Sequence, residues 1–357
     1  MPNPLAADAD VIIAGAGAIG MLTACYLHEH GLKVVVLDQQ RPFAGSSWAG
    51  GGILCPVPPW QYPPQVVELV RASSLLYPAL IDQLEAVSGV GLDYATTGLL
   101  FTGPFDAMAE PWRQKNAAEV DHGILQDWYP ECDQRPAWLL KNVAQLRNPR
   151  LGKALLAFCR QSGIAVLPDH AVVKIQPAST RRLSVHCGNG RKLAADHVVI
   201  ATGAWTDELL RRCGLSGFGI KPLRGQMLLL QGQPGQLRHI ISGHGKYLIP
   251  RPDGLILCGS TVEDAGLDTG ITNAAREEIL AACCDLYPPA AELPILQQWA
   301  GLRPGIADDI PVIAEHPECA GVWINSGHYR NGLGMAPASA QRLTQEIATV
   351  KAVAPDR

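Results

Sequence analysis

The sequence predicts an α/β protein: a Rossmann-like domain around a parallel sheet, joined to a second domain of mixed, mainly antiparallel sheet. Three observations carry that expectation. Residues 10–38 run D-V-I-I-A-G-A-G-A-I-G-M-L-T-A-C-Y-L-H-E-H-G-L-K-V-V-V-L-D, which reads as strand, glycine turn, helix, strand and terminal acid. Short apolar strands return within 164–201 and at 321–325, the last before a glycine-rich turn and a closing helix. Between them, 225–304 holds strand-like runs with hairpin chemistry.

Residues 11–14 are continuously apolar, as in a strand buried on both faces of a parallel sheet. Gly15 allows the tight turn that follows, Gly17 lets the backbone approach a pyrophosphate, and Gly20 lets the helix at 21–29 pack close. The helix N-terminus offers unpaired N–H groups and the positive end of its dipole to that pyrophosphate. Asp38, at the carboxyl end of the strand 33–37, suits both ribose hydroxyls and repels a 2′-phosphate. A dinucleotide with an adenosine end is expected here. A tight strand–helix turn without ligand is the alternative, and the unit alone does not separate NAD from FAD.

Ser46 and Ser47 come next, suited to N-capping and phosphate binding, and glycines 50–52 permit close backbone approach to a flat ring. The proline-rich stretch 56–64 excludes helix and central strand, leaving a semi-rigid surface loop that covers a pocket or meets another subunit. Residues 65–87 have helical spacing, and 89–142 are irregular apart from a strand at 98–102, which suits a cap over a substrate. A helix at 149–162 precedes strands at 164–167, 171–175, 183–186 and 197–201. The last runs into T-G-A-W, which brings backbone near a nucleotide or simply joins strand to helix. Strands at 225–231, 247–250 and 255–259 follow, with R-P-D-G as a hairpin turn between the latter two. A helix at 273–284, capped by Thr272 or Asn273, leads to W-A-G-L-R-P at 299–304, a strand ending in an arginine.

A chain of 357 residues suggests two domains with ample core volume. Its 47% hydrophobic and 17% charged residues exclude disordered and fibrous classes. A net charge of −4 without a basic run excludes a non-specific nucleic-acid binder. The first ten residues lack a basic n-region, so no secretory signal is expected, and three glycines within 11–27 favour strand plus helix over a membrane span. Ten cysteines without a C-x-x-C pair read as reduced thiols of a cytoplasmic protein, not a disulfide framework or zinc site. The adjacent Cys283 and Cys284 read as helix packing.

G-A-G-A-I-G with Asp38, S-S-W-A-G-G-G-I-L, A-T-G-A-W, K-P-L-R-G-Q, Y-L-I-P-R, W-A-G-L-R-P and G-H-Y-R-N-G-L-G-M-A-P together resemble the D-amino-acid oxidase family of FAD enzymes. They span nearly the whole chain in family order, and look most like the branch that oxidises glycine for thiazole (thiamine) synthesis. The resemblance implies FAD contacts at Gly15, Gly17, Ala18, Ile19, Gly20, Asp38, Gln39, Ser46, Ser47, Gly51, Gly52 and Ile53, with Val172 at the adenine. His328, Tyr329, Arg330, Asn331, Gly332 and Leu333 would lie along the isoalloxazine, with a helix end near its N1–O2 edge. Tyr247 and Arg303 align with the pair that holds the substrate carboxylate, and Arg330 lies beside them. Residues 1–88, 145–220 and 305–357 would form the FAD domain, and 89–144 and 221–304 the substrate domain.

Residue chemistry agrees with these roles. A guanidinium fork binds a carboxylate through two parallel bonds, a tyrosine hydroxyl adds a third, and the Cα–H so anchored can point at flavin N5 with no side-chain acid or base. The implied reaction gives an imine or 2-oxo acid and ammonia, with O2 reduced to hydrogen peroxide. Other roles remain open: a structural ion pair for Arg303, a half-buried strand tyrosine for Tyr247, a wall contact or ion pair for Arg330. His328 and His244 read as structural or pocket-lining, since nothing pairs them with a carboxylate. Ile53 stands where the family can carry methionine or another bulky residue, which leaves pocket size open. No cysteine follows Cys319, so the covalent tether of N-methyl amino acid oxidases is absent and non-covalent FAD is expected. Expected partners are a small amino acid, O2 and further copies of the chain. The rival readings are a sarcosine or D-amino-acid oxidase, a quinone-linked dehydrogenase and a non-catalytic FAD-binding subunit.

Overall fold

The strand Ala9–Ala14 pairs in parallel with Val34–Leu37 on one side and Lys192–Ile200 on the other. This computed structural model describes residues 9–116, 118–178 and 182–353; the expectation for residues 1–8 lies outside them. Val322–Ser326 and Ala165–Leu167 extend the parallel sheet, and Val312–Glu315 adds an antiparallel edge. Val11, Ile12 and Ile13 are fully buried, which explains why their sequence does not alternate. One face packs against the helices Ala18–Glu29, Pro64–Ser88, Asn148–Gln161 and Gly332–Val353 through Met21, Leu22, Ile81, Leu155 and Leu343. The opposite face is covered by the ribbon Val172–Pro177/Leu183–Cys187 and the helix Thr206–Arg212.

Register places the site. Ala14 stands opposite both Leu37 and Ile200, so Gly15, Asp38 and Ala201 emerge together at the carboxyl edge of three parallel strands. Ligands bind at this edge in open α/β sheets.

The second sheet has eight strands in the order Ile295–Gly305, Lys221–Gln231, Leu255–Gly259, Lys246–Pro250, Ile240–Gly243, Leu99–Phe101, Pro136–Leu140, Val120–Ile124. It is antiparallel except where Ile240–Gly243 runs parallel to Leu99–Phe101. The helix Asn273–Leu286 seals one face, and its N-cap is Thr272, whose side chain accepts from the Ala275 N–H. The R-P-D-G hairpin forms, with Gly254 at φ +85° and its N–H bonded to the Arg251 carbonyl.

Two expectations need correction. The loop at 56–64 is anchored in the interior by Trp60, only 5% exposed among Phe101, Phe105, Trp112 and Trp138. Val57, Pro58, Gln61 and Tyr62 line the central cavity, as the pocket-cover alternative expects; the departures are the buried anchor and the 3-10 turn Pro59–Gln61, where the sequence reading excludes helix. The strands at 120–124, 136–140, 240–243 and 312–315 carry no element in the sequence reading. They are short, and the outer one, V-D-H-G-I, lies at a sheet edge, where half-exposed residues weaken the apolar pattern. All ten cysteines are free. Among the described residues no helix is long and apolar enough to cross a membrane, and no His/Cys/Asp/Glu cluster suits a metal.

Candidate active site

A cavity of about 620 Å³ runs from the carboxyl edge of the parallel sheet to the open face of the second sheet. Gly15 starts it at φ +108°, where a Cβ would fall 2.3 Å from the Ala201 carbonyl oxygen, so both the turn and the neighbouring strand demand glycine. The helix Ala18–Glu29 opens on the cavity with Gly17 as N-cap. Gly20 has a packing role: its Cβ would meet the Gly15 carbonyl oxygen at 1.9 Å. It alone of the anticipated cofactor and substrate residues does not line the cavity.

Asp38 fixes the turn. Its Oδ2 accepts from the Ala16 N–H at 2.7 Å and its Oδ1 from the Gln40 N–H at 2.8 Å. Burial pushes its carboxyl above the usual range, against the pull of these N–H groups. Ser46 and Ser47 are not N-caps, because Gly45 caps their short helix Ser46–Ala49. Ser47 instead accepts the Ala18 N–H at 2.9 Å, satisfying an orphan donor of the fingerprint helix.

The glycine loop is held from below. Gly52 sits at φ +82° with a would-be Cβ 2.0 Å from the Leu146 carbonyl oxygen, and Gly51 presses on Ile249 and the Tyr247 ring. Asn148 Nδ2 donates to the Ser47 carbonyl at 2.8 Å. Arg251, buried, donates to the carbonyls of Gly51 (2.7 Å) and Leu146 (3.0 Å) and to Gln145 Oε1 (2.7 Å). Burial lowers its pKa to about 10. Among the described residues no protein acceptor stands on the N–H of Gly51 or Gly52, so these donors remain for a ligand.

The far wall carries Tyr247 and Arg303. Arg303 Nη2 donates to Ser260 Oγ at 2.6 Å, Nη1 donates to the Thr261 carbonyl at 3.1 Å, and the Tyr247 hydroxyl donates to the same Ser260 Oγ at 3.2 Å. Burial draws the Arg303 guanidinium below its ordinary pKa. Arg330 is exposed and lines the same cavity, with its guanidinium 5.7 Å from the Tyr329 ring centroid. His328 is buried with Nε2 3.1 Å from Ser339 Oγ, and burial lowers its pKa to about 3, so the ring is neutral. His244 is exposed at the rim and does meet a carboxylate, Asp285, at 3.6 Å, contrary to the sequence reading. Gly332 and Leu333 begin the closing helix and present a second helix N-terminus to the cavity.

The cavity thus joins Asp38 and Val172 at one end to Tyr247, Arg303 and Asn331 at the other. Ser260, Met227 and Asn148 are unmarked in the sequence, and Tyr62 is marked only as part of the stretch 56–64. Arg251 and Gly225 lay within recognised motifs, but their bonds cross between distant segments. Two helix N-termini suit negative charge, and a main-chain trough in which side chains would collide suits a long ligand with a flat ring. These residues fit FAD.

Known proteins agree. The family model described as FAD dependent oxidoreductase (DAO) matches residues 10–346. Glycine oxidase of Pseudomonas putida is 40% identical over 94% of this chain and 93% of that one. The bifunctional protein ThiO/ThiG of Trichormus variabilis is 29% identical over 96% of this chain but 53% of that longer one. The structure of glycine oxidase from Geobacillus kaustophilus superposes with a TM-score of 0.90 at 24% identity, covering 96% and 95% of the two chains. The chain belongs to the DAO family of FAD-dependent oxidoreductases, with FAD as its cofactor.

Proposed function

We propose that this protein is an FAD-dependent oxidase of glycine or a similarly small amino acid, forming an imine that yields a 2-oxo acid and ammonia, with peroxide from O2. The observation that carries the reading is the Arg303–Ser260–Tyr247 group on the wall of the cavity that also holds the glycine loop. The 40% identity to a protein named glycine oxidase favours glycine, and the match to half of ThiO/ThiG favours a place in thiamine synthesis.

In this reading residues 1–88, 145–220 and 305–357 form the FAD domain, and 89–144 and 221–304 the substrate domain. Gly15, Gly17, Ala18 and Ile19 take the pyrophosphate, Asp38 and Gln39 the ribose, and Val172 the adenine. The N–H groups of Gly51 and Gly52 and the helix start at Gly332–Leu333 face the ring. Bound FAD supplies the two-electron acceptor and passes the electrons on to O2. Arg303 and Tyr247 take the carboxylate through charge-assisted bonds and so orient Cα; no side chain need act as acid or base. Neutral His328 keeps a second positive charge away from the ring. Cys55, which lines the cavity, has its thiol pushed up to about 12 by burial, which suits non-covalent FAD. Arg330 guards the entrance. The protein works in the cytoplasm as a homo-oligomer.

The test is to purify the protein aerobically, record its visible spectrum, and add glycine, sarcosine and D-alanine while following peroxide. Flavin bands that bleach most readily with glycine, with peroxide released, are expected. Bleaching without peroxide would indicate a dehydrogenase, and a dominant response to sarcosine or D-alanine would reassign the substrate.

A further inference from the structure

Ser260 follows the strand Leu255–Gly259 and is 3% exposed where it lines the cavity. Its single oxygen accepts from Arg303 Nη2 at 2.6 Å and from the Tyr247 hydroxyl at 3.2 Å. A serine hydroxyl has two acceptor lone pairs and one proton. The Tyr247 hydroxyl has one proton and stands 3.2 Å from Ser260 Oγ and 3.4 Å from Met227 Sδ; with that proton on Ser260, both serine lone pairs are engaged and the serine's own proton is left to be donated. Arg303 spends one N–H on Ser260 and one on the Thr261 carbonyl, which leaves three of its five donors. Both of these partners are neutral. A carboxylate brought to this wall meets guanidinium and serine donors, and the phenol joins them by turning its one proton from Ser260 to the carboxylate.

We propose that Ser260 is a third member of the carboxylate site: it ties Arg303 to Tyr247 before substrate arrives and then donates its own proton to the carboxylate. This rests on the reading of Arg303 and Tyr247 as the carboxylate anchor. Without the hydroxyl, Arg303 loses a buried acceptor and the carboxylate loses a donor, so the defect falls on binding rather than on the electron-transfer step.

The test uses the flavin-loaded enzyme and acetate, which carries the carboxylate without the amine. Acetate affinity is read from the perturbation of the flavin spectrum in wild type, S260A, S260C and R303A, alongside kcat and KM for glycine. In S260A and S260C, acetate affinity should fall and the KM for glycine rise about tenfold, with kcat within about twofold. S260C preserves the volume, so it decides the matter should S260A lose flavin. Wild-type acetate affinity in the serine variants, with loss in R303A, would overturn the role of Ser260 and leave the anchor standing. Undiminished acetate binding in R303A would remove the anchor itself.

Discussion

The guanidinium of Arg303 lies face-on against the backbone of Gly225, so closely that a methyl group there would stand 2.1 Å from Nη1, 2.2 Å from Nη2 and 2.3 Å from Cζ. The two strands are antiparallel neighbours, with Gly225 opposite Gly301 and Leu223 opposite Arg303. Gly225→Ala should therefore evict the guanidinium although residue 225 carries no functional group. The expected phenotype is that of an Arg303 variant, a large rise in KM with a normal flavin spectrum, measured by steady-state kinetics on the purified enzyme.

Arg303 itself should resist conservative replacement. Lysine brings the charge but not the planar fork, so Arg303→Lys should lower kcat/KM for glycine on the order of a hundredfold, and Arg303→Ala by more. FAD content, read from the visible spectrum, should not change. Full activity of Arg303→Ala at low glycine would refute the anchor.

His328 should impose an acid limit on stability. Burial holds its folded pKa near 3, whereas an unfolded histidine titrates near its ordinary 6.5. Between those values the unfolded chain binds a proton that the folded chain does not, so stability falls as pH drops, by up to about 1.4 kcal/mol per pH unit from this group. Above 6.5 both states are neutral and the contribution is flat. His328→Asn should flatten the pH dependence of the melting temperature between pH 4 and 6.5, measured by thermal scans of the flavin-loaded protein.

Arg251 should matter for the cofactor without touching it. Its three acceptors lie in the glycine loop and in the chain leading to the helix Asn148–Gln161. Arg251→Met keeps most of the volume but leaves buried carbonyls unpaired, at a cost of about 2–3 kcal/mol. FAD should bind roughly tenfold more weakly or worse, as measured by fluorescence titration of the apoprotein.

Much of this architecture is visible in the residues because local physics dictates it. The segment around Gly15 needs positive φ and contact with the Ala201 carbonyl, and only glycine meets both demands, so the fingerprint is written where it acts. Asp38 is similarly local, one residue beyond its strand. Ser260 is the opposite case. It stands in an ordinary G-S-T, and its importance arises only when Arg303, 43 positions later, folds back onto it. Trp60 looks like a loop aromatic until Phe101, Phe105, Trp112 and Trp138 close around it. Histidine 244 finds Asp285 only because the helix Asn273–Leu286 ends beside the hairpin that carries it. Such pairings depend on tertiary approach, which periodicity does not record.

In the proposed function Arg303 grips the end of the substrate that the reaction leaves untouched. Oxidising the amine converts a zwitterion into a species whose carboxylate is unchanged, so the departing oxo acid must break away from the same cation that drew its precursor in. The other partners of that cation are a carbonyl and a hydroxyl, neither of which offsets its charge when the site empties. An oxo acid should accordingly compete with fresh amino acid, and turnover should slow as it accumulates unless a following reaction consumes it. Formate and other small spectator anions should produce the same slowing without being consumed.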